Sequence, residues 1–262
     1  MDVTTWPETV DLGWNKLAGL PMLAEAGASS ERQERGLIDA INSIASQENP
    51  IEVRSAGSVL KNVVGAGKRE GMSALGKEPY TDVEIYLGDG TVLNISAKGD
   101  SAPSLAGGGL RALNLLLPNI VKDFLEKARD ELVAQGKQKG DLGVGDVYGQ
   151  ISDADALVAL RGNEDMGGPI DYMYQGPMDV TSEVGDGFVQ ISGKMSTIEE
   201  YADGHDLYLR ARKRRNDQPF DPDLTDRAGL PAIFGRSPSK GDSNRRIVVS
   251  ERVPSNALVV KI

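Results

Sequence analysis

The 262-residue chain contains no cysteine and a single histidine, His205. Without cysteine there are no disulfide bonds, no thiolate nucleophiles and no zinc or iron–sulfur sites built on cysteine ligands. One histidine excludes metal sites that need a pair of them, and it also excludes nuclease sites of the HNH type. His205 lies between Gly204 and Asp206, which is typical of a surface turn. Any chemistry must therefore use carboxylates, lysine, arginine or hydroxyl groups.

Long apolar segments are also missing. The purely apolar runs are only a few residues long, whereas a membrane-spanning helix needs about 20. Residues 1–11 contain acids and lack the basic start and apolar stretch of a secretory signal. We therefore expect a soluble protein of the cytoplasm, with no membrane partner and no disulfide-linked partner. With 31 glycines and 13 prolines, the chain favours many turns and short elements over a helical bundle.

Acidic residues outnumber basic ones, and the formal net charge is −10. The imbalance is uneven, because residues 205–262 hold 12 basic and 7 acidic residues and are therefore net basic. Two interpretations stay open. Either this region contacts a polyanion such as DNA, or it pairs with the acidic remainder of this chain or of a neighbouring molecule. The predicted nucleic-acid-binding residues, named here the basic cluster, are Arg210, Arg212, Lys213, Arg214 and Arg215.

The N-terminal part of the chain predicts an arm followed by a helix. Residues 1–28 contain two tryptophans among prolines and glycines, and we assign them to an N-terminal arm. Ser30 and Gln33 fit the N-cap and the capping box of a helix, and apolar residues at helical spacing follow. A strand is predicted at 51–54, and the glycine-rich segment 57–79 is predicted as a loop with one short helix.

The clearest pattern is that of a β-hairpin. Apolar and polar residues alternate over 82–87 and again over 92–98, with Gly88-Asp89-Gly90 between them as the turn. A helix is predicted from 110 to 132, with a break at Pro118. Further strands are predicted at 170–174, 179–184, 188–192, 207–213, 247–250 and 258–262, with a long loop over 216–245.

These elements predict a mixed α/β fold. Residues 29–140 are expected to form a core of helix, strand, β-hairpin and helix. Residues 141–262 are expected to form a strand-rich C-terminal region that contains the basic cluster and the long loop.

Polar side chains share one face of the predicted hairpin. Because successive residues of a strand point to opposite faces, Asp82 and Glu84 lie together on one strand, as do Ser96 and Lys98 on the next. Paired carboxylates can bind Mg²⁺, and a lysine beside them can orient an attacking water. Glu34 lies on the apolar stripe of the first helix, where an unpaired charge is unfavourable, so it is the candidate third acid. The alternative interpretation is a solvated strand face with ordinary cross-strand ion pairs.

This order of residues resembles the PD-(D/E)XK nuclease superfamily, which has a glutamate on a first helix, an aspartate on a strand, and an acid-x-lysine sequence on the next antiparallel strand. The resemblance is carried by Tyr-Thr-Asp-Val-Glu-Ile at 80–85 and Ile-Ser-Ala-Lys at 95–98. It covers residues 29–135 and implies a restriction-endonuclease-like core.

The resemblance also implies a role for each matching residue. Glu34 would be the helix acid, Asp82 the strand acid and Lys98 the lysine, with Mg²⁺ as the cofactor. Ser96 stands where the superfamily has its second acid, and Glu84, on the same face as Asp82, is the candidate replacement. If Glu84 does not take that role, the metal site lacks a ligand and the domain is inactive.

Functions from different classes follow from these patterns. The first is a Mg-dependent endodeoxyribonuclease that hydrolyses DNA phosphodiester bonds, with Asp82 and Glu84 as metal ligands and the basic cluster on the DNA backbone. The second is a non-catalytic virion structural or assembly protein with an inactivated nuclease-like fold, indicated by Ser96 in the acid position, the net acidic charge, the N-terminal arm and the long loop. In general character the rest of the chain resembles proteins of tailed bacteriophages. Its partners would be other virion proteins, in the host cytoplasm or in the virion. A DNA-binding module without cleavage is a third interpretation.

Overall fold

The computed structural model describes residues 21–76, 78–100, 102, 105, 109–137, 147–212, 220–225, 229–234 and 246–262. This part of the chain is mixed α/β, as predicted, with two sheets and helices packed against them. None of its helices is long and apolar enough to cross a membrane.

The helices are α1 (Pro21–Asn42), α2 (Gly109–Leu116), α3 (Pro118–Ala134), α4 (Asp153–Arg161) and α5 (Ile198–Asp203). The strands are β1 (Ile51–Ala56), β2 (Ser58–Lys68), β3 (Val83–Leu87), β4 (Val92–Gly99), β5 (Val147–Gln150), β6 (Tyr172–Gly176), β7 (Ser182–Gly185), β8 (Phe188–Thr197), β9 (Tyr208–Arg212), β10 (Arg246–Ser250) and β11 (Leu258–Lys261).

The first sheet closes on itself. Its strand order is β1-β2-β3-β4-β6-β8-β7, and a further parallel pairing joins β1 to β8. Six strands therefore form a ring, and β7 extends from β8. Leu37 and Ile41 of α1 share one core cluster with residues of all six strands, among them Val63, Ile85 and Ile95. The ring thus encloses the apolar face of α1, and the restriction-endonuclease-like arrangement expected from the resemblance is not confirmed.

Strand β2 occupies a segment that was predicted as a loop with a short helix, so that prediction was wrong. Leu60 and Val63 of β2 are buried, but glycines interrupt the apolar residues and obscure the pattern. Gly67 is needed for close packing, because a Cβ atom there would lie 2.5 Å from the Tyr86 hydroxyl of β3. Glycine is therefore required at position 67 by the close approach of β3, and not by a turn.

Helix α1 begins earlier than predicted. It starts at Pro21, a residue type favoured in the first turn of a helix, so the end of the predicted N-terminal arm is helical. Ser30 is therefore inside the helix and not its N-cap, and its Oγ donates to Glu34 Oε1 at 3.1 Å. The Gln33 side chain does not cap the helix either, because its Nε2 donates to backbone carbonyls at the ends of β4 and β6.

The second sheet has four strands in the order β10-β9-β5-β11. With α2 to α5 it forms a second core cluster. The predicted break at Pro118 is confirmed, because α2 and α3 meet there. Strands β6 to β8 follow residue 140 but belong to the first sheet, so the predicted boundary at 140 does not separate the two sheets.

Helices α4 and α5 were not predicted. The Ser152 side chain caps α4 by accepting from the Asp155 backbone N–H at 3.2 Å. Thr197 and Glu200 form a reciprocal capping box at the start of α5. Both helices are so short that apolar spacing over one or two turns does not reveal them.

Candidate functional site

The predicted hairpin is confirmed. β3 pairs with β4 in antiparallel register, with Val83 opposite Ile95 and Glu84 opposite Asn94. Gly90 in the turn has a φ of 88°, which glycine adopts without strain. Val83 and Ile95 belong to the core around α1. The side chains that alternate with them therefore lie on the outer face of the ring.

Asp82, Ser96 and Lys98 come together at the start of the hairpin. Asp82 Oδ2 accepts hydrogen bonds from the Ala97 N–H at 2.7 Å, from Ser96 Oγ at 3.1 Å and from Lys98 Nζ at 3.0 Å. The side chains of Asp82 and Lys98 are 16% and 21% exposed, so the pair is partly accessible to solvent. Ser96, which stands in the place of the expected acid, thus helps to hold the strand acid.

Glu84 has different partners. Its Oε1 accepts from Arg69 Nη1 at 2.7 Å, and its Oε2 accepts from the Tyr86 hydroxyl at 3.3 Å. Burial of the phenol and then the negative charge of Glu84 raise the pKa of Tyr86. Glu84 shares a face with Asp82, but each carboxylate pairs with its own cation.

Glu34 is 5% exposed, which agrees with its predicted place on the buried stripe of the first helix. Its Oε2 lies 2.8 Å from Lys68 Nζ, and this contact raises the pKa of Lys68. Lys68 is opposite Val83 in the ladder, so it belongs to the inner face that packs against α1. Glu34 therefore lies on the other side of the sheet from Asp82 and Lys98, and the structure does not bring it into one cluster with them.

A divalent ion would compete here with cations that the carboxylates already bind. Mg²⁺ takes oxygen ligands, commonly one or two carboxylates with waters, yet both oxygens of Glu84 and one oxygen of Asp82 already accept hydrogen bonds. Among the residues that the structure describes, no group of three Asp, Glu or His side chains is arranged to hold a metal ion. Mg²⁺ at Asp82 and Glu84 stays a prediction.

The basic cluster lies in the other sheet. Arg210 and Arg212 are on β9, and the Arg210 guanidinium lies 5.5 Å from the ring centre of Tyr148. The backbone of Arg212 is paired with that of Arg246 on β10. Residues 213–215 of the cluster are outside the described residues. DNA binding by the cluster remains a prediction.

Three residues that matter to the candidate site were missed in the sequence. They are the cations Lys68 and Arg69, at and just after the end of β2, and Tyr86 on β3. A strand at 58–68 would have placed both cations beside the hairpin, but its glycines concealed it.

Comparisons with protein-family models, with curated proteins and with solved structures find no match for this chain. The resemblance to the nuclease superfamily therefore depends on the hairpin residues themselves.

Proposed function

We propose that this chain is a non-catalytic structural or assembly protein, the alternative to catalysis that its sequence left open. The observation that carries the proposal is the separate pairing of the candidate acids. Asp82 is bound by Lys98 and Glu84 by Arg69 on the outer face of the sheet, and Glu34 is bound by Lys68 on the inner face. The three carboxylates stabilise the ring of strands and do not share a pocket.

The electrostatics of the hairpin support this assignment. A divalent ion is favoured where carboxylates converge without compensating cations, since their mutual repulsion is then relieved by the metal. Here Asp82 and Glu84 are each neutralised by a cation within 3.0 Å. Metal binding would have to compete with Arg69 for Glu84 and with Lys98 for Asp82.

The proposed setting is the particle of a tailed bacteriophage or its assembly in the host cytoplasm. In that setting the partners are other virion proteins, and the acidic body and the basic cluster supply complementary charges for contacts between neighbouring chains. The setting comes from the general character of the sequence, and size measurements test the assembly between chains that it requires.

Nuclease activity is the second candidate, and one observation favours it. Asp82 and Lys98 are in contact at one end of the hairpin and are both partly exposed, which is the pairing that the superfamily pattern implies. Cleavage would require both acids of the hairpin to release their cations and turn to one ion.

A cleavage assay separates the two candidates. The wild-type protein is incubated with plasmid DNA and Mg²⁺ or Mn²⁺ beside Asp82→Asn, Lys98→Met and the exposed control Glu183→Gln. We expect no cleavage above background in any of them. Cleavage by the wild type and by Glu183→Gln that is lost in the other two variants would establish the nuclease instead.

The structural role needs its own measurement. We expect sedimentation velocity of the full chain to show concentration-dependent assembly that high salt weakens, because complementary charges drive it. A single monomeric species at all concentrations and salt levels, together with no cleavage, would contradict the assembly role.

A further inference from the structure

A cavity of about 750 Å³ opens where the two sheets meet. The first sheet contributes Gln175 of β6 and Lys194 of β8 to its lining. The turn after α5 contributes His205, and the segment after β10 contributes Glu251 and Arg252. Asp82, Glu84 and Lys98 are not part of this lining, so the cavity is separate from the site described above.

A hydrogen-bonded chain of side chains forms one wall. Gln175 Nε2 donates to the Tyr201 hydroxyl at 2.9 Å, and this hydroxyl donates to Glu251 Oε2 at 2.5 Å. Tyr201 is 2% exposed, and burial together with Glu251 raises its pKa, so the phenol stays protonated and donates. The other oxygen of Glu251 lies 3.6 Å from Arg252 Nε. One oxygen of this carboxylate is therefore hydrogen-bonded within the protein, and the other faces the Arg252 guanidinium.

The cations of the cavity are less completely satisfied. Arg252 is held at one edge, because its Nη2 donates to the Asp100 carbonyl at 3.0 Å and its Nε faces Glu251. Its Nη1 has no hydrogen-bond partner within the described ranges. Lys194 is exposed, and its ammonium makes neither an ion pair nor a hydrogen bond with any residue that the structure describes. Lys194 is also the ladder partner of Gln175, which places it beside the hydrogen-bonded wall.

His205 completes this wall, and its contacts place a ring proton on Nδ1. Its ring stacks on Tyr201 with centroids 4.3 Å apart, and its Nδ1 lies 2.9 Å from the Tyr201 carbonyl. A carbonyl only accepts hydrogen bonds, so Nδ1 carries the proton and Nε2 of His205 is the atom left for other contacts. Stacking and hydrogen bonding fix the ring in place.

We propose that this cavity binds a small ligand through one anionic group, a phosphate or a carboxylate, held by Lys194 and Arg252. Glu251 already has partners within the protein, whereas the Lys194 ammonium and Arg252 Nη1 have none among the described residues, so these two cations suit an acceptor-rich ligand. An arginine held in a fixed orientation suits the planar or tetrahedral oxygens of such a group. Two exposed carboxylates, Asp100 and Asp206, also line the cavity, and they favour a ligand of low charge over a polyanion such as DNA. The inference is independent of the proposed function.

Isothermal titration calorimetry with inorganic phosphate and with acetate, at constant ionic strength, tests the proposal. We expect saturable binding of at least one of the two anions to the wild-type chain, weakened at least tenfold in Lys194→Met and in Arg252→Met. Lys261→Met, which removes an exposed charge from β11, is the matched control and should bind like the wild type. The anion that binds identifies the group that the cavity accepts.

Asp100→Asn sharpens the test, because it removes a repelling charge from the lining and should tighten binding several-fold. No saturable binding of either anion to the wild type would overturn the proposal. Equal affinities in the wild type, Lys194→Met and Arg252→Met would overturn it as well, since binding would then lie elsewhere. Circular dichroism of each variant confirms that it is folded; because Lys194 and Arg252 are exposed, both substitutions should leave the fold intact.

Discussion

Ser96 Oγ donates a hydrogen bond to Asp82 Oδ2 at 3.1 Å. The residue that replaces the expected second acid of the hairpin is therefore a partner of the first acid. Together with the Ala97 N–H and Lys98 Nζ, it surrounds one carboxylate oxygen with donors. A carboxylate at position 96 would therefore face Asp82 directly.

Ser96→Glu is expected to create a divalent-ion site beside Asp82. Ser96 is buried, so in metal-free buffer the new charge beside Asp82 should lower the free energy of unfolding by roughly 1–3 kcal/mol. Mn²⁺ should recover part of this loss by binding both carboxylates. Thermal denaturation with and without Mn²⁺ measures both effects, and Ser96→Ala is the control that should not respond to the ion. Equal Mn²⁺ responses of the two variants would show that the hairpin is not arranged like that of a nuclease.

The Asp82–Lys98 pair is expected to stabilise the hairpin. Because both side chains are largely shielded from water, a double-mutant cycle with Asp82→Asn and Lys98→Met should give a coupling energy of about 1 kcal/mol. Urea denaturation of the wild type, the two single variants and the double variant supplies the four free energies. A coupling energy near zero would mean that the pair is only a surface contact.

Gly67→Ala should destabilise the protein through a single contact. The new Cβ atom would lie 2.5 Å from the Tyr86 hydroxyl but 3.3 Å from the nearest ring atoms, so the hydroxyl is the main obstacle. We expect a loss of roughly 1–3 kcal/mol in the free energy of unfolding. Tyr86→Phe in the same chain should recover most of it, as measured by urea denaturation. Failure of this rescue would place the strain in the β2 backbone instead.

Tyr80→Phe should change the stability of the protein at high pH. The buried Tyr80 hydroxyl has no hydrogen-bond partner among the described residues, and burial raises its pKa from 10.0 to about 12. Above pH 10 the unfolded chain releases this proton before the folded one does. For this group the free energy of unfolding should therefore fall by about 1.4 kcal/mol per pH unit between pH 10 and pH 12.

Tyr80→Phe removes this hydroxyl, so its free energy of unfolding should fall less than that of the wild type between pH 10 and pH 12. At neutral pH the variant should be as stable as the wild type or more stable by up to about 1 kcal/mol, because an unsatisfied polar group leaves the core. Urea denaturation at pH 7 and at several values above pH 10 measures both effects. A variant that is strongly destabilised at pH 7 would show that the hydroxyl has a partner.

The hairpin and its polar face could be predicted from the sequence because both depend on alternation within one short segment. The nearness of Asp82 and Lys98 followed from the same alternation. The burial of Glu34 also followed from its place on an apolar stripe. The partner of Glu34, Lys68, could not be predicted, because glycines that leave room for the Tyr86 ring hide the strand pattern of β2.

The closure of the ring could not be predicted in this way. It depends on the pairing of β1 with β8, in which Val53 lies opposite Val189. No local pattern connects residues so far apart in the chain, and parallel strands need a long connection between them. The cavity between the sheets was hidden for the same reason, since Gln175, Tyr201 and Glu251 meet only when both sheets are in place.

Binding of Mn²⁺ to the wild-type chain tests most directly whether Asp82 and Glu84 share an ion. Titration followed by the electron paramagnetic resonance signal of free Mn²⁺ counts the ions bound per chain, with Asp82→Asn and Glu84→Gln as comparisons. We expect no stoichiometric binding by the wild type and the same titration curve for both variants. Binding of one Mn²⁺ per wild-type chain that is lost in both variants would contradict the account, in which Asp82 and Glu84 form separate ion pairs. It would favour the metal-dependent nuclease instead.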